Sequence, residues 1–93
     1  MRVISRKRLR EFWERHPDAQ APLELWFRLV EHQEPGNFAE LKRTFGSVDR
    51  AGKYTVFDVG GNKYRVIAHV HYDRQCLYVR WVLTHREYDQ WKP

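Results

Sequence analysis

Lys63, Arg65, His69 and His71 occupy odd-numbered positions in one run of strand-forming residues, and Tyr78 and Arg80 occupy even-numbered positions in the next. A strand turns successive side chains to opposite faces, so residues two apart share a face. The first set therefore stands together with Ile67, and the reverse face carries Tyr64, Val66, Ala68, Val70 and Tyr72, which is core material. In the second run Leu77, Val79, Trp81 and Leu83 form the apolar set, opposed by Cys76, Tyr78, Arg80, Val82 and Thr84. A loop of Tyr72 to Gln75 places His71 opposite Cys76, His69 opposite Tyr78 and Ile67 opposite Arg80. In that register the apolar sets coincide and so do the cationic ones. A slip of one residue would bury Arg80, so the pattern selects its own pairing. Guanidinium groups match phosphate oxygens in a bidentate fork, and imidazole exchanges protons near neutrality. The expected chemistry is phosphate binding and proton transfer.

Each residue has a plainer alternative. Arg65 and Arg80 fit phosphate, or else stand solvated or paired with Asp58. A two-residue hairpin turn at Gly60-Gly61 puts Asp58 opposite Lys63, and a cross-strand ion pair then competes with a catalytic lysine. His69, His71 and Cys76 suggest a metal triad, but no fourth ligand and no CxxC or HxxxH spacing accompanies them. Stacking on RNA, proton transfer, or two merely exposed histidines fit the same pair. His85 shares the parity of the apolar set yet lies beside a helix cap at Thr84, so it is either a half-buried structural ring or an acid–base group at a rim. Lys42, Arg43 and Arg50 would widen a footprint on a polyanion. The basic run Arg6 to Arg10 reads as a solvated helix face. If the ligand is RNA, the ribose 2′-hydroxyl is an internal nucleophile. Cleavage then needs a base, cations at the crowded phosphorus and an acid for the leaving 5′-oxygen, all of which Arg, Lys, His and Tyr supply without metal or cofactor. No carboxylate pair is spaced for two-metal phosphodiester chemistry.

The elements that must position these groups are also legible. Met1 to Ile4 suits a short edge strand. Ser5 can cap a helix carrying Leu9, Phe12, Trp13 and His16 on one side and stopped by Pro17. Asp18 can cap a second helix with the stripe Leu23, Trp26, Phe27 and Val30, where Pro22 is tolerable only in the first turn. Asn37 and Glu40 resemble a capping box for a third helix over Phe38 to Phe45, with Gly46 beyond it. The sheet begins at Lys53 to Asp58, with Phe57 and Val59 facing the core. Thr84 and Glu87 form a second capping box, and Tyr88 and Trp91 share one side of the terminal turn. The fold class is α+β: two layers, with helices on one face of an antiparallel sheet and the cationic face left open.

The chain has 93 residues, one domain over 1–93, and a formal net charge of +5. That charge favours polyanions such as RNA, DNA or an anionic membrane. No run approaches the roughly 20 apolar residues that cross a bilayer, so no membrane role is expected. No leader is evident, because Arg6 to Arg10 precede a mixed stretch. A single cysteine, Cys76, fits a reducing compartment, and the cytoplasm is the expected location.

Three stretches together, MRVISRKRLREFWERHPDAQAPLELW, FAELKRTFGSVDR and VFDVGGNKYRVIAHVHYDRQCLYVRWVLTHREYD, resemble the HigB family of bacterial type II toxins within the wider RelE-like group. The likeness spans nearly the whole chain, and GGNKYR…YVRWVLTHREYD is its most specific part. It implies the small RelE-like α+β domain. It implies an endonuclease acting on translated mRNA at the ribosome, and a HigA-type antitoxin with a helix-turn-helix domain. The positions matching the family pattern are Arg65, Tyr78, Arg80, His85, Tyr88 and Asp89. Lys63, His69 and His71 fall in more variable places. The resemblance implies Arg65 and Arg80 for phosphate and transition-state charge, His85 as leading acid or base, and Tyr88 placing a base or ribose. Tyr78, Lys63, His69, His71, Lys42 and Arg43 are the expected RNA contacts. The competing function is a non-catalytic RNA- or ribosome-binding module using the same face.

Overall fold

In a computed structural model that describes all residues, Met1 to Pro93, five strands form one sheet in the order β1-β5-β4-β3-β2. The strands are β1 (Arg2–Ile4), β2 (Asp49–Ala51), β3 (Tyr54–Val59), β4 (Tyr64–His71) and β5 (Cys76–Thr84). The helices are α1 (Arg6–Arg15), α2 (Gln20–Glu31), α3 (Phe38–Thr44) and α4 (His85–Gln90). Strands β2 to β5 form an antiparallel meander, and β1 runs parallel to β5 at the edge. The α+β class and the order of elements are as the sequence indicates. The one strand it missed is β2, joined to β3 through Gly52 and Lys53 with Gly52 at φ +60°.

Apolar periodicity decides which side each element buries. Leu9, Phe12 and Trp13 of α1 and Leu23, Trp26 and Val30 of α2 pack onto Phe57, Val59, Tyr64, Val66, Ala68, Leu77 and Val79 of the sheet. Phe12, Leu9, Leu23 and Phe57 are essentially sealed from solvent, and each fully buried side chain of that size contributes about 1.5–3 kcal/mol. Residues His16 to Asp18 of the α1–α2 turn reach the start of β4, where His16 faces the Tyr64 ring and Lys63 Nζ lies 3.9 Å from Asp18. Asp18 caps nothing, contrary to expectation. It sits in a 3-10 turn, and α2 starts from Ala19 with no side-chain cap. Ser5 takes the N-cap position of α1 but its side chain makes no cap bond, whereas Asn37 accepts from Glu40 N, and Thr84 and Glu87 close a full capping box.

Two registers differ from the pattern-based reading. The β3–β4 turn holds four residues, Gly60 to Lys63, because Val59 pairs with Tyr64. Gly60, Gly61 and Asn62 all take positive φ (69°, 61° and 78°), a backbone that glycine and asparagine adopt with least strain. Asp58 consequently faces Arg65 rather than Lys63. The shift preserves parity, so Phe57 and Val59 keep their place in the core. The second difference is larger. β4 and β5 pair as expected from His71↔Cys76 to Ala68↔Val79, but Ile67 then pairs with Trp81. Arg80 is the extra residue of a β-bulge, and the bulge reverses facing beyond it. Trp81 and Leu83 therefore leave the core face, and Val82 joins it.

The face away from the helices, expected to stay open, is partly covered. α4 folds back over its end near Arg65, and Trp91 to Pro93 continue across toward the β2–β3 turn. There an added carbon on Gly52 would sit 3.2 Å from Pro93 Cβ. Trp81, Tyr54 and Trp91 meet edge-on at 5.2 to 5.9 Å between centroids. Beside them Val56 and Ile67, cross-strand partners on this same face, are buried. This second apolar cluster divides the face in two.

Candidate functional site

The half next to α4 is closed. β4 delivers Arg65 there, with its side chain only 7% exposed. Its Nε donates to Asp58 Oδ1 at 2.9 Å. Nη1 donates to the carbonyls of Asn62 (3.0 Å) and Tyr64 (3.2 Å), and Nη2 to Asn62 Oδ1 (2.6 Å) and His85 Nδ1 (3.0 Å). The guanidinium also lies 5.2 Å from the Tyr88 ring centroid. Every nitrogen of the fork is engaged, so the expectation that Arg65 offers a free fork to phosphate is corrected: it organises the turn, Asp58 and α4. A guanidinium can only donate, so His85 Nδ1 is the acceptor and the ring proton of the neutral form lies on Nε2. That nitrogen faces Asp89 Oδ2 at 3.6 Å. His85 thus bridges Arg65 and Asp89. Tyr88 stacks on Trp91, with centroids 6.0 Å apart and planes at 19°.

The other half is open. His69 and His71 project from β4 with ring centroids 4.5 Å apart. Tyr78 of β5 meets His71 edge-on at 5.3 Å, and Arg80 lies over the Tyr78 ring at 5.6 Å. Tyr54 of β3 faces His69 at 6.3 Å, and Lys53 Nζ lies over Tyr54 at 5.4 Å. The bulge gives Arg80 its exposure, since it has no partner on β4. Its carbonyl lies beyond the reach of β1 and accepts from Arg8 Nη1 at 3.0 Å. Burial, followed by the neighbouring charges of His71, Arg80 and Lys53, holds the His69 imidazole below the ordinary histidine range. It is therefore neutral at pH 7 and able to accept a proton. Along β4, Arg65 and His69 are separated by four residues, about 13 Å at the usual strand rise. Arg65 and the His69–His71 pair therefore stand toward different ends of the face.

The structure thus brings His69, His71, Tyr78 and Arg80 together, and groups Arg65, His85 and Tyr88 apart from them. Lys63 lies on the β3–β4 turn against Asp18 and not against Asp58. Lys42 belongs to neither half: it donates to the carbonyls of Gly46 (3.1 Å) and Val48 (2.9 Å), closing the end of α3 in the helical layer. Arg43 stands on the same helix. Arg50 lies 4.4 Å over the Phe38 ring on that side of the sheet as well. His69, His71 and Cys76 do not gather into a ligand set, as no group of three His, Cys, Asp or Glu side chains surrounds a common point. Sequence reasoning missed Tyr54, Lys53 and Trp81. The parity of Tyr54 with Asp58 already placed it on this face. Trp81 carried no such signal, because only the bulge turns it outward.

A family model described as HigB_toxin, the RelE-like toxic component of a toxin-antitoxin system, matches residues 19–91. The chain is 35% identical over 92 residues to the mRNA interferase toxin HigB of Escherichia coli strain K12, covering 96% of this chain and 88% of that protein. The same figures hold for the mRNA interferase HigB of Shigella flexneri. The mRNA interferase HigB of Escherichia coli O6:H1 is 28% identical over 93 residues, covering 97% and 90%.

Proposed function

The chain belongs to the HigB toxin family, and from that premise we propose how its surface cuts RNA. It is the toxin of a toxin–antitoxin pair, an endoribonuclease of the mRNA interferase type. Residues 1–93 act as one toxin domain, a reading supported by the single 18-residue core that joins α1, α2, α3 and the sheet. Messenger RNA lies across the open half of the sheet face. The exposed Arg80 fork meets the scissile phosphate, and Tyr54, Tyr78 and Trp81 offer aromatic faces to bases, which stack on such rings irrespective of sequence. Lys53 extends the cationic track along the β2–β3 turn. Arg65 is a positioning residue that holds His85 and Tyr88 as one wall of the site.

Cleavage proceeds by attack of the ribose 2′-hydroxyl on the adjacent phosphate, giving a 2′,3′-cyclic phosphate and a 5′-hydroxyl. The message is cut while translated on the ribosome, in the cytoplasm, and a HigA-type helix-turn-helix antitoxin neutralises the toxin. Basic charge suits a ribosomal site rich in RNA, and no helix is long and apolar enough to cross a membrane. The observation that carries the proposal is Arg80: a bulge in a central strand holds a cation outward, above Tyr78 and beside two imidazoles.

The test is expression of Arg80→Ala in bacteria together with end-mapping of cellular RNA. We expect growth arrest to be relieved, cyclic-phosphate ends to fall by about 100-fold, as for loss of one transition-state donor, and the melting temperature to hold. Salt-sensitive RNA binding by the wild-type chain with no cleavage product would instead establish a contact module without catalysis.

A further inference from the structure

We propose that His69 and His71 are the acid–base couple of the cleavage reaction, with His69 accepting the 2′-hydroxyl proton and His71 protonating the leaving 5′-oxygen. This rests on the ribonuclease reading above and names the catalytic groups within it. The supporting geometry is local. The two rings lie 4.5 Å apart between centroids on one strand face, close enough to flank one phosphodiester. Arg80 stands over Tyr78, which itself touches His71, so a phosphate held by Arg80 lies beside both imidazoles. The groups facing His69 are His71 on its own strand, Tyr54 and Lys53 from β3 and its preceding turn, and Tyr78 and Arg80 from β5. No carboxylate is among them, so nothing ties up the ring as His85 is tied between Arg65 and Asp89.

The division of labour follows from charge. Two imidazoles this close repel one another as cations, and that repulsion bears on His69. Burial and the charges of His71, Arg80 and Lys53 disfavour charging of His69. His69 is then the base, and His71, beside it on the same strand face, is the acid. In the reaction the 2′-oxygen forms a bond to phosphorus as its proton passes to His69. The bond from phosphorus to the 5′-oxygen breaks, and that oxygen takes the proton of His71. Exchange with solvent restores both rings, so no further reactant is required.

The experiment uses the full chain with a defined message on programmed bacterial ribosomes, and the same message with sulfur replacing the 5′-oxygen at the cleavage site. Wild-type protein should yield 2′,3′-cyclic phosphate ends. His69→Gln should lose at least about 100-fold in rate, the lower range expected of a lost general base, and should lose the acid limb of the pH–rate profile. Its affinity for a 2′-O-methyl message should stay within threefold, roughly the scatter of a surface change. His71→Gln should be slow on the oxygen substrate and restored on the sulfur one, because a thiolate leaves without an acid; His69→Gln should remain slow on both. His69→Asn and thermal melts of each variant separate folding from chemistry. If wild-type protein cleaves but folded His69→Gln and His69→Asn keep its rate, the assignment of the couple is overturned while the ribonuclease reading stands. If His71→Gln is equally slow on both substrates, His71 is not the acid. A wild-type chain that leaves no cyclic ends overturns the ribonuclease reading itself.

Discussion

Arg65 and Arg80 are alike in the sequence and opposite in the structure. Both sit mid-strand among β-branched and aromatic neighbours, where a guanidinium invites a functional reading. Arg65 is buried, with Asp58 at 2.9 Å and four further hydrogen bonds, whereas Arg80 is exposed over Tyr78. Truncating one partner of a buried ion pair strands the other charge and costs about 3–5 kcal/mol. We therefore expect Arg65→Ala to lower the unfolding free energy read from urea denaturation by an amount of that size, with inactivity that follows from unfolding, and Arg80→Ala to shift stability by less than about 0.5 kcal/mol. Equal unfolding free energies for the two variants would remove Arg65 from its structural role. A pairing of Arg65 with Asp58 was among the readings open in the sequence, but the choice was not legible there. It depends on the length of the Gly60 to Lys63 turn, which sets the β3 residue that Arg65 faces.

At the level of elements, alternation and turn chemistry carried most of the information. The facing of β3, β4 and the first half of β5 followed from period two, and the caps at Asn37 and Thr84 from their spacing to Glu40 and Glu87. The second half of β5 was misread because the bulge at Arg80 breaks the alternation without any glycine or proline to mark it. A further link between elements was also hidden: Tyr64, at the start of β4, meets the α1–α2 turn. The Asp18 carboxylate beside its hydroxyl, together with burial, pushes the Tyr64 phenol up to about 12 from an ordinary 10.0, and the same contact holds Asp18 below its usual 3.8. A raised phenol pKa means that the folded state binds the proton more tightly. Its stabilising contribution is complete below pH 10 and is lost as pH rises toward 12. The Asp18 share has the opposite sense, present at neutral pH and lost as the carboxylate protonates in acid. Denaturation midpoints of the wild-type chain should therefore fall more steeply than those of Tyr64→Phe across the alkaline interval. Parallel curves would show that the helix turn and β4 are not coupled through this contact.

For the molecule as a whole, a net charge of +5 is a statement about partners and about salt. Each phosphate neutralised on a single strand contributes about 0.7 to the slope of log K against log salt. If Lys53 and Arg80 each meet one phosphate, the double variant Lys53→Ala/Arg80→Ala should reduce that slope by about 1.4 on a 2′-O-methyl RNA that cannot be cut. Lys42→Ala should leave the slope unaltered, because its ammonium is bound to the carbonyls of Gly46 and Val48 in the helical layer. Titrations of binding against salt measure both. A slope that responds to Lys42 and not to Lys53 and Arg80 would move the RNA to the other side of the protein.

The sequence alone settled what depends on local spacing: strand and helix identity, the apolar faces, the two capped helices and the presence of cations and imidazoles on a shared ribbon. Those follow from fixed periods of 2.0 and 3.6 residues, which act over a few neighbours. What required the tertiary structure was which of those groups remain free. A bulge between Ile67 and Ala68 on β4 and Arg80 on β5 set one cation outward, and the return of α4 and Trp91 to Pro93 across the sheet closed in the other. Both outcomes rest on contacts between segments far apart along the chain, whose energies no local pattern encodes.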